Sequence, residues 1–420
     1  MSHRLEHAVI LFFVGMLVVH GYVFWSVRGL VLAGYPDFTS FYGAGKTLRE
    51  GRGSQLYDAR EQWRTQQEFA PRVRIRNAPL PYLRPPFEAL LFVPLTLRPY
   101  SQAYFLWNAL GLCAALAIPF LLRRRIPALR QFPPWLLALL PLAFTPVFLA
   151  LLQGQDSILL LLFYSLAYLA LGKGADFRAG CWLGLGLFKP HLVIPFVAIS
   201  LLQGRRKVAL GFLSVAAVLF STSLAVVGWS ELLRYPGYIW WLEQHTGRGL
   251  VLPRDTPNLR GLVEGFLSSF LPMWAIILLV SMFSVAVIFW AATRRPGLTG
   301  GNSGGVHDLV FSQALVATFL VSYHAFAYDL SIMLLPILLL VASVLASNRD
   351  IHGWAGVALM GPIVVLLFGP VFPLLWLRFH AMNLLAVVLL LWMWGISLEI
   401  SRLRTQAPPV WSGTENVFTV

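Results

Sequence analysis

Apolar residues run in long blocks through most of this chain, and polar positions gather in the gaps between them. Blocks long enough to cross a bilayer, or nearly so, lie at about 8–27, 100–122, 134–152, 157–171, 208–228, 272–292, 307–322, 328–346, 354–376 and 380–400. A helix needs roughly 20 apolar residues to cross the hydrocarbon core, so the pattern predicts an all-α polytopic membrane protein with about ten crossings. Two further stretches are apolar but too short to cross. One is 87–97. The other is a pair of arms, 179–189 and 191–202, folded about Lys189-Pro190-His191. Such lengths read as re-entrant or half-spanning segments.

The gaps carry their own asymmetry. With the N-terminus in the cytoplasm, the inner loops collect Arg123–Arg125, Arg130, Lys173, Arg178, Arg205–Lys207, Arg294, Arg295 and Arg349, and the tail adds Arg402 and Arg404. The short gaps 153–156 and 323–327 carry no Lys or Arg, as the positive-inside rule asks of outer loops. The 28–86 loop, the 153–156 turn, the 189–191 bend, the 229–260 loop and the 324–329 turn then share the outer side. The first outer loop has helical pattern at 37–50 and 55–70, split by Gly51-Arg52-Gly53. These read as amphipathic helices at the interface, with Trp63 and Phe69 as anchors. Trp229, Tyr235, Tyr238, Trp240 and Trp241 cluster in the second, either as an interfacial belt or as a surface that stacks on a sugar. Residues 297–305, rich in Gly and Ser, read as a flexible inner linker. Residues 1–406 form one membrane domain on this reading, and 407–420 a flexible cytoplasmic tail.

Composition agrees. Of 420 residues, 58% are hydrophobic and 12% charged, which excludes a soluble globular domain. The first apolar block lacks a small-residue cleavage site and reads as a retained helix. The net charge of +14 fits anchoring on anionic lipid, and no separate basic domain is present to bind nucleic acid. Cys113 and Cys181 sit in apolar stretches and read as neither disulfide partners nor metal ligands. There is no spaced Cys/His cluster, HExxH, G-x-S-x-G elbow, Walker loop or dinucleotide fingerprint, so neither a metal nor a cofactor is expected.

Against this background a few polar residues stand out. Asp37 follows Gly34-Tyr35-Pro36 and precedes a helical pattern. It reads as a general base held at a membrane surface, or as a helix N-cap. Lys189, one of only four lysines, lies inside apolar sequence, where a charge costs about 2.5–3.5 kcal/mol and calls for a partner or a role. It suits a phosphate, or it snorkels beside a bend. His191, Arg84 and His324 are further candidates for phosphate contact. Gln153, Gln155, Asp156 and Asp329 could hold sugar hydroxyls or simply build tight turns.

Taken in order, these segments resemble glycosyltransferase family 87, bacterial polyprenyl-phosphate-mannose-dependent membrane mannosyltransferases. The resemblance rests on Asp37-Phe38 with Tyr42, Ala44 and Gly51…Leu56-Tyr57-Asp58; on Arg84-Pro85-Pro86-Phe87 through Phe92-Val93-Pro94-Leu95; and on Ala103…Trp107. It continues through Gln153-Gly154-Gln155-Asp156, Gly180…Gly184…Lys189-Pro190, Asn258-Leu259-Arg260-Gly261 and His324…Asp329. It covers about 30–340. The family turn more often reads Gly-Gln-x-Asn, and Asp156 stands here at the Asn place.

The resemblance implies a GT-C fold and inverting transfer of a sugar, mannose above all, from a polyprenyl-phosphate donor to a lipid-linked or glycan acceptor. Transfer would occur on the non-cytoplasmic face of the bacterial inner membrane, with Asp37 as base. Lys189, His191, Arg84 and His324 would hold the donor phosphate. Tyr42, Gln153, Gln155, Asp156, Asn258, Arg260 and Asp329 would contact sugar or acceptor. Membrane lipids complete the expected partners. Two other classes stay open: a transporter or flippase of lipid-linked sugars, against which the lack of an internal repeat argues, and a polymerase- or ligase-like enzyme moving whole oligosaccharides.

Overall fold

The computed structural model describes residues 3–73, 78–245, 252–294, 303–347 and 353–405. Most of the Gly-rich linker, Arg295, Arg349 and the 407–420 tail lie outside the described residues. Every regular element among the described residues is helical. The first eleven helices are α1 (His3–Ala33), α2 (Phe38–Arg49), α3 (Ala59–Phe69), α4 (Pro86–Phe92), α5 (Tyr100–Arg125), α6 (Pro134–Ala143), α7 (Thr145–Gln153), α8 (Ser157–Leu171), α9 (Asp176–Leu185), α10 (Ile194–Leu202) and α11 (Arg206–His245). Helices Leu259–Leu267, Met273–Thr293, Ser303–Val321, Leu334–Ser347, Gly353–Leu367 and Leu385–Thr405 follow.

Six described stretches are long and apolar enough to cross a membrane, and eight if two bent pairs each count as one span. That is fewer than the ten expected. The 157–171 block is a helix of 15 residues, about 22 Å long at 1.5 Å per residue, and falls short of a ~30 Å core. Leu160, Leu161, Tyr164 and Ala167 on it are buried in protein. The 307–322 block is likewise a short apolar helix, Gly305–Val321, with Leu315, Val316, Ala317 and Phe319 fully buried. By contrast α1 leaves Leu11, Val18, Tyr22 and Trp25 exposed, and Met273–Thr293 does the same with Ile277, Met282 and Phe289. Exposed apolar faces of this extent fit contact with lipid.

The 134–152 block bends by 61° between α6 and α7. Pro146 has no N–H to continue the helical ladder. The carbonyl of Leu142, near the break, is bonded by His20 Nδ1 of α1 at 3.2 Å, and His20 Nε2 lies 3.2 Å from Thr145 Oγ1. A buried histidine thus satisfies the polar groups that the break frees, as hydrocarbon surroundings require.

The first loop differs from expectation. Helix α2 is not an interfacial helix: most of its 12 residues are buried. Phe38 and Phe41 pack on Phe92, Phe38 also meets Tyr100 and Tyr104, and Phe69 stacks on Tyr100 at 5.4 Å. Helix α3 turns a polar face inward, burying Glu61, Gln62, Thr65 and Gln66. Gln66 brackets Leu80 with both amide atoms, and Gln62 Oε1 accepts from Tyr82 N at 3.3 Å. These amides do the work of a neighbouring strand for the extended stretch that leads to Arg84.

The expected 229–260 loop is also different. It is helical to His245, because α11 continues past a break at Gly228, where φ is 80°. Tyr235 and Tyr238 pack on Tyr57, each with ring centroids 5.1 Å away, while Trp229 and Trp240 stay exposed. The 179–202 segment is two short helices, α9 and α10, joined by two 3-10 turns on either side of Lys189. Helix α9 presses so closely on α11 that a Cβ at Gly180 would lie 2.0 Å from Val208 O, and one at Gly211 2.0 Å from Phe177 O. Small residues permit this contact, as at many helix crossings in membranes.

Candidate active site

Five separated stretches converge on one buried polar cluster. Tyr57 leads to the first: its hydroxyl donates to the carbonyl of Arg84 at 2.7 Å. Tyr235 donates to the neighbouring Leu83 carbonyl at 3.1 Å. The extended backbone before Pro85 is thereby pinned, and the Arg84 side chain reaches the turn after α7. Arg84 Nε lies 3.1 Å from Asp156 Oδ2, and Nη2 donates to Asp156 Oδ1 at 3.2 Å and to Gln155 Oε1 at 3.1 Å. The pairing with Asp156 combines one hydrogen bond, from Nη2 to Oδ1, with a close ion pair between Nε and Oδ2. No described residue accepts from the remaining Nη1.

Lys189 lies between two short 3-10 turns, Gly186–Phe188 and Pro190–Leu192, in the link from α9 to α10. It is fully buried. Its ammonium meets Asp156 Oδ1 at 2.7 Å and also donates to Asp329 Oδ1 and Ser157 Oγ. Three donors therefore have three acceptors, with Gln155 Oε1 a fourth neighbour at 3.4 Å. Asp329 is held in turn by Ser157 Oγ–H at 2.7 Å and by Phe326 N–H at 3.0 Å. Burial pushes the Asp156 carboxyl up, but the charges of Arg84 and Lys189 outweigh it and hold the group below the ordinary carboxylate range.

Asp37 joins the cluster through amides. It precedes α2, yet its carboxylate makes no cap hydrogen bond to that helix. Gln155 Nε2 donates to Asp37 Oδ2 at 2.7 Å, and Gln153 Oε1 accepts from Asp37 N at 3.2 Å. The turn bearing both glutamines passes through Gly154 at φ 61°, a left-handed conformation that favours glycine. A Cβ there would also lie 2.7 Å from Phe38 Cβ. Trp107 Nε1 donates to the Gly154 carbonyl at 3.0 Å, and Tyr104 donates to the carbonyls of Leu151 and Leu152. The Ala103…Trp107 stretch is therefore the clamp on this turn.

Around the cluster lie rings and half-buried imidazoles. His191 and His324 meet edge to face with centroids 6.1 Å apart, and Tyr323 is 6.2 Å from His191. Burial lowers the His191 pKa well below its ordinary value, helped by His324, Arg84 and Lys189 nearby. His191 is thus a neutral hydrogen-bonding group near pH 7. Arg260 binds Glu264 at 3.1 Å and lies over Tyr323 at 5.4 Å.

Two residues expected at the sugar or acceptor have other partners. Tyr42 is buried and donates to the Arg98 carbonyl at 2.8 Å. Asn258 is fully buried, accepts from Gly261 N at 2.8 Å as a helix cap, and donates to the Ser322 carbonyl at 2.7 Å. Asp37, Gln153, Gln155, Asp156, Arg84, Lys189 and Asp329 are joined directly. His191 and His324 lie beside them. Ser157 and Glu88 were not anticipated. Glu88, fully buried in α4, carried a signal: a carboxyl inside a short apolar run.

The model of glycosyltransferase family 87 matches residues 82–322, more than half of the chain. Comparison with curated proteins gives no match.

Proposed function

The chain belongs to glycosyltransferase family 87, and from that premise we propose that it is an inverting transferase with Asp37 as its base. Its donor would be a polyprenyl-phosphate sugar, with mannose as the sugar, and its acceptor a lipid-linked or glycan hydroxyl. The observation that carries the reading is the orientation of Asp37: a carboxylate beside a helix it does not cap, held by an amide whose own oxygen faces two cations.

The chemistry follows from that geometry. Asp37 takes the proton of the acceptor hydroxyl as its oxygen attacks the anomeric carbon. The bond from that carbon to the phosphate oxygen breaks on the opposite face, and the lipid phosphate leaves with the electron pair. Negative charge grows on the phosphate and needs donors already in place. Lys189 has its three donors engaged, so the reading gives it the task of holding Asp156 and Asp329. Arg84 Nη1, His191 and His324 are then the groups that meet the phosphate. The aromatic rings of Tyr235, Tyr323 and Tyr328 would flank the sugar. The positive-inside asymmetry of the loops supports placing this end on the non-cytoplasmic face of the bacterial inner membrane.

Mass spectrometry of membrane glycolipids tests the reading. Cells with the wild-type protein should contain a glycolipid or glycan one hexose longer than cells without it. Cells with a stably folded Asp37→Asn variant should resemble the latter. Full product in the Asp37→Asn cells would end the assignment of the base.

A further inference from the structure

The buried cluster holds two cations, Arg84 and Lys189, and their charges are matched by Asp156 and Asp329. Glu88 is an additional carboxyl, fully buried. Its nearest cation, Arg84 Nε, is 3.9 Å away, beyond hydrogen-bond reach, and that nitrogen lies closer to Asp156. Tyr82 donates to Glu88 Oε2 at 3.2 Å, and Glu88 Oε1 has no hydrogen-bond partner. Asp156 Oδ2 likewise accepts no hydrogen bond, despite its ion pair with Arg84. The two carboxyl groups crowd the same nitrogen, Arg84 Nε, with Asp156 Oδ2 at 3.1 Å and Glu88 Oε2 at 3.9 Å. Two carboxylates cannot satisfy one another, since both only accept. One proton resolves the contact.

We propose that Glu88 is a neutral acid which keeps its proton, donates a hydrogen bond to Asp156 Oδ2 and, through Arg84, Lys189 and Gln155, positions Asp37 for transfer. The inference rests on the reading of Asp37 as base. Asp156 receives Arg84 and Lys189, both cations touch Gln155 Oε1, and Gln155 Nε2 holds Asp37. Ionising Glu88 would set a second negative charge against Asp156 and draw Arg84 away from Gln155. No other group facing Glu88 can take that charge. Tyr82, Tyr57 and Tyr235 are its other titratable neighbours. On the helices packed against α4, Lys46 pairs with Glu50 and Glu68, Arg49 donates to the Thr96 carbonyl, and Glu231 pairs with Arg234. The role is therefore one of positioning and not of contact with substrate.

The test uses full-length protein in membranes, with a polyprenyl-phosphate mannose labelled in the sugar as the probe. Glu88→Ala should lower transfer by about tenfold or more, because it leaves Asp156 Oδ2 without a hydrogen-bond donor. Glu88→Gln, whose amide still donates, should stay within about threefold of wild type. It should also lack the alkaline fall in rate that the proposal expects of the wild type as Glu88 ionises. A Glu88→Gln variant as impaired as Glu88→Ala, or one with the wild-type alkaline limb, overturns the proposal.

Infrared spectroscopy of wild-type protein carrying 13C at the glutamate carboxyls decides the matter without any variant or donor. A protonated-carboxyl C=O band should be present at pH 7, and its absence overturns the proposal. Asp37→Asn is run alongside. If that variant transfers at the wild-type rate, the base assignment fails while the infrared band still reports on Glu88.

Discussion

Gln155 donates to Asp37 Oδ2 at 2.7 Å while its own oxygen faces Arg84 at 3.1 Å and Lys189 at 3.4 Å. The amide cannot turn over, because the reverse orientation would set its NH2 against two cations and its oxygen against a carboxylate. Removing this side chain should be felt first at Asp37, and it also takes one acceptor from Arg84, while Lys189 keeps its three nearer ones. Gln155→Leu should lower kcat by about 10- to 100-fold, the equivalent of the ~1.5–3 kcal/mol of a hydrogen bond to a charged group, with little change in KM for the donor. Gln155→Glu should be worse, since it opposes two carboxylates. Steady-state kinetics on folded protein checks both, and an unchanged kcat in Gln155→Leu would remove Gln155 from the site.

Lys189 is the keystone of the ionic cluster. Lys189→Met would leave Asp156 and Asp329 facing each other in a buried space. Breaking a buried pair from one side costs about 3–5 kcal/mol, so the variant should unfold at clearly lower temperature in detergent. Adding Asp329→Asn should recover part of the loss. A Lys189→Met protein with wild-type stability and a raised KM for the donor would point instead to direct phosphate contact.

Asn258 caps the Leu259–Leu267 helix and ties it to Ser322. Asn258→Ala should cost about 1–2 kcal/mol of stability through the lost cap. KM for donor and acceptor should not move. Thermal unfolding and kinetics on the same preparation separate the two effects.

His191 makes stability depend on pH. Its folded pKa lies well below the ordinary 6.5, so the unfolded chain binds the proton more readily. Its contribution is complete above about pH 6.5 and is lost as pH falls through the folded pKa. The melting temperature of the wild type should drop on acidification below about pH 6.5, and His191→Gln should flatten that drop. Identical pH curves for the two proteins would contradict the assignment of a neutral His191.

The positions legible in the sequence are those where polarity interrupts hydrocarbon. Asp37, Lys189 and the 153–156 turn stood out for that reason, and all three meet in the cluster. What stayed hidden was which partner each would take. Lys189 reads as a phosphate ligand until its donors are traced to Asp156, Asp329 and Ser157. Asn258 lies in a matching motif, but its amide is spent on backbone.

Helix α3 misled for a deeper reason. Amphipathic pattern identifies a polar face without saying whether water or protein covers it, and here Gln62 and Gln66 face protein backbone. The span count meets the same limit. Apolar length does not distinguish α8, wrapped by other helices, from α1, which leaves one apolar face exposed.

Gly154 carries one more implication. It lets two segments 116 residues apart in sequence touch so closely that no side chain fits between them. Even a single methyl there would pry Gln153 and Gln155 away from Asp37 together. Attempts to broaden sugar scope should leave this corner untouched and diversify exposed Tyr323, where change need not disturb the pieces already locked beneath it.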